Sequence, residues 1–325
     1  MRSSFARLCA LGAVLGSLLG FAGSVHAQSY PVKPVRMVVP FPPGGAVDLI
    51  ARLIQPRMSD VLGQPVLVEN RGGAAGNLGT EQVAKGPHDG YNLLINTNGQ
   101  AISLAMHSKL GWSAADFIPL TQLVTSHLIL IASPKFPANS LPEFIALAKA
   151  RPGVLNYGGT GIGNPLHLTM EWLKLLAGID VVAVHYQGDA PLYTAMMAGQ
   201  VDVAVTPFST ALPFVKSGKL RALAVPTAGR VPLVPDVPTV AETLPGLVSP
   251  GWQGLFLPSH SPAESVEALQ RAAVRALAAP EVRERLQSLS YETVGSSPDQ
   301  FKPVFEAEVA RYVRIVKDAR IPLQD

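Results

Sequence analysis

An apolar strand that feeds a helix through a glycine-rich loop recurs along this 325-residue chain, and the repeat restricts the fold more than any other feature. The clearest copy is Val38-Val39-Pro40-Phe41-Pro42-Pro43-Gly44-Gly45-Ala46-Val47-Asp48. Val35 to Val39 is short, apolar and β-branched, which predicts a buried strand. Val47, Ile50, Ala51, Ile54, Met58, Val61 and Leu62 follow near helical spacing, with a kink or break expected at Pro56. Between strand and helix, three prolines stiffen the loop and two glycines allow a sharp turn and a close approach. Such a junction aims unpaired backbone N–H groups into a cleft, where an anion can accept them.

The pattern continues in order. Val66 to Glu69 reads as a second strand, Asn70 to Gly76 as a second glycine-rich loop, and a helix runs to about Lys85 with Asn77, or Gly76, at its cap. Tyr91 to Asn96 is the next strand and ends in the polar Thr97-Asn98-Gly99-Gln100. This βαβαβ order predicts an α/β unit with a mostly parallel sheet flanked by helices. Ligands of such sheets sit beyond the carboxyl ends of the strands, where Phe41 to Asp48 and Thr97 to Gln100 lie.

A second unit begins near residue 125. Leu128 to Ala132 is a strand and Leu141 to Lys149 an amphipathic helix. The strand Val154 to Tyr157 opens into Gly158-Gly159-Thr160-Gly161-Ile162-Gly163-Asn164-Pro165, where Asn164 suits a cap and Pro165 a first helical position. Strands at Val181 to Tyr186 and Val201 to Val205 lead into loops at Gln187 to Pro191, with Asp189 as cap, and at Thr206 to Thr210. Leu220 to Val225 completes the unit. The last hundred residues carry a proline-rich stretch, a strand at Trp252 to Leu257, and helices near Pro262 to Ala278 and Pro298 to Lys317. The implied organisation is a first domain at 28–125, a second at 126–226, and a return to the first at 227–325, with two crossings forming a hinge.

Residues 1–27 read as a cleaved secretory signal peptide: Arg2 and Arg7, an apolar run from Leu8 to Ala22, and Val25-His26-Ala27 before the cut. About fifteen apolar residues fall short of the roughly 20 that span a bilayer. Cleavage would leave 298 residues, lower the formal charge from +3 to +1, and remove the single cysteine, Cys9. With 6% aromatic residues and no basic run interleaved with them, nucleic acid is not an expected partner. Gly159-Thr160-Gly161-Ile162-Gly163-Asn164 places asparagine where a dinucleotide fingerprint needs its third glycine. No P-loop, nucleophile elbow or zinc-protease motif occurs, so no catalytic residue, metal or cofactor is expected. His167 reads more simply as a hydrogen-bonded structural histidine, Asp48 as a complement to its helix dipole, and Asp202 as structural.

The chain resembles the Bug/TctC family, the extracytoplasmic receptors of tripartite tricarboxylate transporters. The residues that carry the resemblance span the expected mature chain. They include Tyr30-Pro31-x-Lys33-Pro34, the Val38-to-Asp48 loop, Leu62-Gly63-Gln64-Pro65, Glu69-Asn70-Arg71, and Asp89-Gly90-Tyr91. Further along come Tyr157-Gly158-x-Thr160-Gly161-x-Gly163 with His167-Leu168, Tyr186-x-Gly188 with Ala190-Pro191, Ala198 to Asp202, Pro235 to Thr239, and Trp252-x-Gly254-Leu255-Phe256.

The resemblance implies a two-domain, type II periplasmic-binding-protein-like Venus flytrap that closes on a small carboxylate held largely by backbone N–H groups and water. It assigns first-domain contacts to Phe41, Gly44, Gly45, Val47 and Asp48; Asn98 joins them as a candidate from its place in the Thr97-to-Gln100 loop. It assigns second-domain contacts to Thr160, Gly161, Asn164, His167, Tyr186, Gly188 and Asp189, with Pro207 nearby. It further implies a periplasmic monomer that delivers its ligand to membrane permease subunits. A partner of a membrane sensor, or an extracytoplasmic α/β hydrolase using His167 or Asp48, are the alternatives. Gly72, Gln187, Asn164-Pro165 and Leu110 to Ser113 depart from the family pattern, in loops able to set ligand identity.

Overall fold

The computed structural model describes residues 30–324, so the expected signal segment lies outside the described residues. The chain first lays down β1 (Val35–Val39), α1 (Ala46–Leu62), β2 (Val66–Asn70), α2 (Asn77–Ala84), β3 (Asn92–Thr97), α3 (Gly99–Met106) and β4 (Phe117–Ser126). A single residue, His127, separates β4 from β5 (Leu128–Ala132). A second lobe follows, with α4 (Leu141–Ala150), β6 (Asn156–Gly159), α5 (Pro165–Ala177), β7 (Val182–His185), α6 (Asp189–Ala198), β8 (Val203–Pro207), α7 (Phe208–Lys216) and β9 (Arg221–Ala224). The chain then returns through β10 (Gly251–Pro258), α8 (Ala263–Ala278), α9 (Pro280–Ser288), β11 (Tyr291–Thr293) and α10 (Pro298–Asp318).

The first sheet has the order β11-β4-β10-β3-β1-β2 and the second β7-β6-β8-β5-β9. Parallel ladders join β2-β1-β3, with Met37 opposite Val68 and Leu93, and join β7-β6-β8. The expected parallel cores are present, but each sheet is mixed. In each, the strand that enters from the other lobe runs against its neighbours: β10 between β3 and β4, and β5 between β8 and β9. The two crossovers therefore insert one reversed strand into each sheet, and both lobes share one plan.

Alternation along the strands sorts side chains to two faces. In the first sheet, Met37, Val39, Ile95 and Leu255 pack with Ile50, Ile54 and Met58 of α1 and with Leu269 and Ala273 of α8. Val38, Leu94 and Phe256 face the other way, onto α3 and onto Phe301, Phe305 and Tyr312 of α10. In the second sheet, Leu130, Tyr157 and Val205 meet Phe144 and Met170, while Ile129, Ile131 and Ala204 meet Leu192, Met196 and Phe208.

Several expectations are corrected. Helix α1 runs unbroken through Pro56, whose exposed ring faces solvent, where water can satisfy the carbonyl that proline leaves without a donor. The cap of α6 is Gly188 (φ +108°), with Asp189 as the first helical residue. The segment after β9 does not turn back to the first sheet at 227, because Val231, Val240 and Leu247 are buried in the second lobe. The strand β10, from Gly251, is where the chain rejoins the first sheet. The lobes also share a core contact: Leu168 of α5, fully buried, packs with Tyr312 and Ile315 of α10. Beside it the Arg311 guanidinium lies 5.0 Å over the Trp172 ring and donates to the Val248 carbonyl at 3.2 Å.

Candidate functional site: a cleft between the lobes

The loop after β1 is held by a carboxylate. Asp48, 3% exposed, accepts from Gly44 N (2.9 Å), from Arg52 Nε (2.9 Å) and from Asn70 Nδ2 (2.9 Å). Burial alone would raise its pKa, but the Arg52, Gly44 and Asn70 hydrogen bonds together hold it below the ordinary value. Asn70 also donates to the Phe41 carbonyl at 3.1 Å. Gly45 caps α1 in extended geometry, so the first-turn N–H groups of α1 have no side-chain cap. Val47 points into the first-lobe core. Asp48 and Val47 thus build the loop from behind, while Ala46 stands in front of them.

In the second lobe, Gly161 adopts φ +138°, which an L side chain rarely takes, and the loop returns at Asn164. The Asn164 Oδ1 accepts from His167 N (2.9 Å) and its Nδ2 donates to Thr160 Oγ1 (3.2 Å). Gly163 N donates to His167 Nδ1 at 3.2 Å. Burial pulls the His167 pKa below its ordinary value; Glu171 opposes this, and His185 and Lys174 reinforce it. His167 is therefore a neutral acceptor that braces the glycine loop, in keeping with the simpler sequence reading. Tyr186 N donates to the Gly159 carbonyl at 2.8 Å, and Asp189 Oδ2 accepts from Thr210 Oγ1 at 3.1 Å. Asp202 is structural too, its Oδ2 accepting from Asn156 N at 2.9 Å.

Helices opened by these loops border a cavity of about 440 Å3 between the lobes. Four helix starts reach its wall: Ala46 of α1, Asn98 before α3, Pro165 and Leu166 of α5, and Pro207 and Ser209 at α7. The rest of the lining comes from the crossovers and the strands beside them: Ser126, His127, Leu128, Gly251, Trp252, Gln253 and Tyr291. These abut the helix starts, since Gln253 pairs with Thr97 and the His127 carbonyl accepts from Phe208 N at 2.9 Å. No lysine or arginine stands among the described residues that line it. Helix N-termini carry partial positive charge, so an anion has an electrostatic reason to enter without a cationic side chain. A smaller cavity of about 250 Å3 adjoins Phe41, Thr97, Gly163, Asn164 and Gln324. A larger groove of about 630 Å3, between α5 and α10, lies on helix sides near Trp172 and Arg311.

Of the residues singled out in sequence, Asn98 and Pro207 line the central cavity, and Phe41 and Asn164 the smaller one. Gly44, Gly45, Val47, Asp48, Thr160, Gly161, His167, Tyr186, Gly188 and Asp189 line neither. The crossover wall was missed. Its one signal in sequence was the Trp252-x-Gly254 motif at the start of the returning strand.

Beneath that wall, Trp252 Nε1 donates to the buried Glu308, which also pairs with Arg311, and Asn98 Nδ2 donates to Tyr312 OH at 3.2 Å. Burial raises the Glu308 pKa, against the Arg311 charge and the Trp252 hydrogen bond. Two residues of the cavity wall, Asn98 and Trp252, are thus pinned by neighbours on one helix, α10.

Residues 50–321 match the model of the tripartite tricarboxylate transporter family receptor, TctC. The chain belongs to this family. Among TctC relatives, protein BugT of Bordetella pertussis is 32% identical over 322 residues, 98% of this chain and 99% of BugT. The R. palustris protein Rpa4515, solved with adipate, is 32% identical with a TM-score of 0.74, covering 91% of this chain and 100% of that one. MatC from Rhodopseudomonas palustris, solved with bound malate, is 33% identical with a TM-score of 0.71, covering 88% and 100%. The two mixed-sheet lobes described above are the architecture that the chain shares with these solved proteins.

Proposed function

We propose that this TctC-family chain is a periplasmic, non-enzymatic, monomeric solute receptor. It closes its lobes on one small organic carboxylate and presents the closed form to the permease subunits of a tripartite tricarboxylate-type transporter. The observation that carries this reading is the cavity of about 440 Å3, ringed by four helix starts and free of lysine and arginine. The adipate and malate bound by relatives support a carboxylate as the cargo. The secretory character of residues 1–27 supports export. The commitment of Asp48 and His167 to structural hydrogen bonds leaves a hydrolase without its candidate base. A ligand that touches both lobes favours the closed state by its difference in affinity for the two states.

The test is a thermal-shift panel on protein freed of copurified ligand, covering mono-, di- and tricarboxylates, amino acids and aromatic acids. A true ligand at about 100 times its Kd adds about 2.7 kcal/mol, a rise of several degrees in Tm. A panel silent for every carboxylate overturns the reading.

A further inference from the structure

The smaller cavity, of about 250 Å3, borders the central one and differs from it in its walls. Thr97 and Pro165 line both, so the two cavities share the starts of α3 and α5 as a common border. Those helices belong to different lobes, and the border is a seam that a ligand in the cleft can straddle. On its far side the first lobe supplies Phe41, Ala75, Ile102 and Met106, and the second lobe Ile162. The Phe41 ring lies on the Gly76 backbone, where a Cβ would stand 3.1 Å from its Cζ. The Met106 methyl reaches the second lobe, 2.8 Å from where a Cβ on Gly163 would be. Gln324 ties the lobes here: its N donates to the Met106 carbonyl at 2.7 Å and its Nε2 to the Ile162 carbonyl at 3.3 Å. Other polar side chains of the lining are engaged as well. Thr97 Oγ1 accepts from Gly99 N at 3.0 Å, Asn164 serves Thr160 and His167, and His107 Nδ1 meets the Ser103 carbonyl at 3.2 Å. Among the described residues that line this chamber, none is lysine, arginine, aspartate or glutamate. Ile162, 54% exposed on its loop, still has apolar area to bury, and burying it against a ligand is favourable.

Resting on the carboxylate reading above, we propose that this chamber is the subsite for the ligand's hydrocarbon tail, and that the preferred cargo is a monocarboxylate with an unbranched tail rather than a di- or tricarboxylate. The head stays at the helix starts, and the tail crosses the seam of α3 and α5 to lie against Phe41, Ile102, Met106 and Ile162. A second carboxylate carried into the chamber would lose its water and find no cation. At about 30 Å3 per water, the chamber has the volume of about eight waters, room for a chain of several carbons.

The experiment is calorimetric titration of the purified protein, freed of copurified ligand, with straight-chain monocarboxylates from butyrate to octanoate, the dicarboxylates of the same lengths, and citrate. Affinity for the monocarboxylates should rise about two- to fourfold with each added methylene, as for hydrocarbon leaving water. From six carbons up, each dicarboxylate should bind at least about tenfold more weakly than the monocarboxylate of its length. Ile162→Trp and Ser103→Leu fill the chamber from opposite lobes. In each, the ratio of octanoate to butyrate affinity should fall to within about threefold, while butyrate affinity stays within about threefold of the parent. The parent series tests the proposal even where a variant fails to fold. Flat affinity along the monocarboxylates, tightest binding by a di- or tricarboxylate, or a gradient that survives in a folded variant overturns the tail subsite and leaves the carboxylate receptor standing. Failure of every acid overturns the receptor reading and the subsite with it.

Discussion

Asp48 shows why motif residues and ligand-facing residues are different sets. Its carboxylate is saturated by Gly44, Arg52 and Asn70, so its contribution is to hold the loop that presents the α1 terminus. Asp48→Asn should cost on the order of 1–3 kcal/mol at pH 7, since it removes charge-assisted hydrogen bonds at a buried site. Because the folded pKa lies below the ordinary carboxylate value, the stabilisation is present above about pH 4 and is lost as pH falls through the folded pKa. Urea unfolding of parent and variant from pH 7 to pH 3 should therefore show a gap that narrows with acid. A gap that widens would contradict the assignment. His167 teaches the same lesson: its place beside the glycine loop was legible in sequence, but its role as an acceptor for Gly163 N needed the distance.

At the scale of elements, local chemistry decided the junctions. Asn164 caps α5 as its side-chain chemistry predicts, with Pro165 at the first helical position. Asn164→Ala should lower stability by about 1 kcal/mol and Asn164→Ser by much less, read as shifts in the urea midpoint. Equal losses in both would remove the capping explanation. Gly158 is fixed by a neighbour rather than by backbone conformation: a Cβ there would sit 2.1 Å from Leu192 Cδ1, so α6 packs directly against β6. Gly158→Ala should cost about 1–3 kcal/mol by overpacking, measured the same way. The strands β4 and β11 were not legible. Pro119 lies within β4 where its register against β10 shifts, and β11 is three residues that pair with β4. Neither carries a local pattern strong enough to announce itself.

Across the whole molecule, the repeated strand–loop–helix junctions announced two α/β units, and both sheets have that core. What repetition could not show was the exchange of one strand between lobes, since β5 and β10 find their places only by pairing far along the chain. The crossover wall of the cleft was hidden for the same reason: His127, Gln253 and Tyr291 are distant in sequence and meet only in the folded protein. The central claim is that one carboxylate binds in this cleft. Ala46 tests it most directly, because it is exposed, lines the cavity and stands clear of the first-lobe core. Calorimetry with the tightest carboxylate of the panel should give one site per chain in the parent. In Ala46→Trp, affinity should fall by about 100-fold or more while the ligand-free Tm stays within about 2 °C, the bulk of an indole blocking the cleft without touching the core. Unchanged affinity in a folded Ala46→Trp would place the ligand elsewhere and contradict the account.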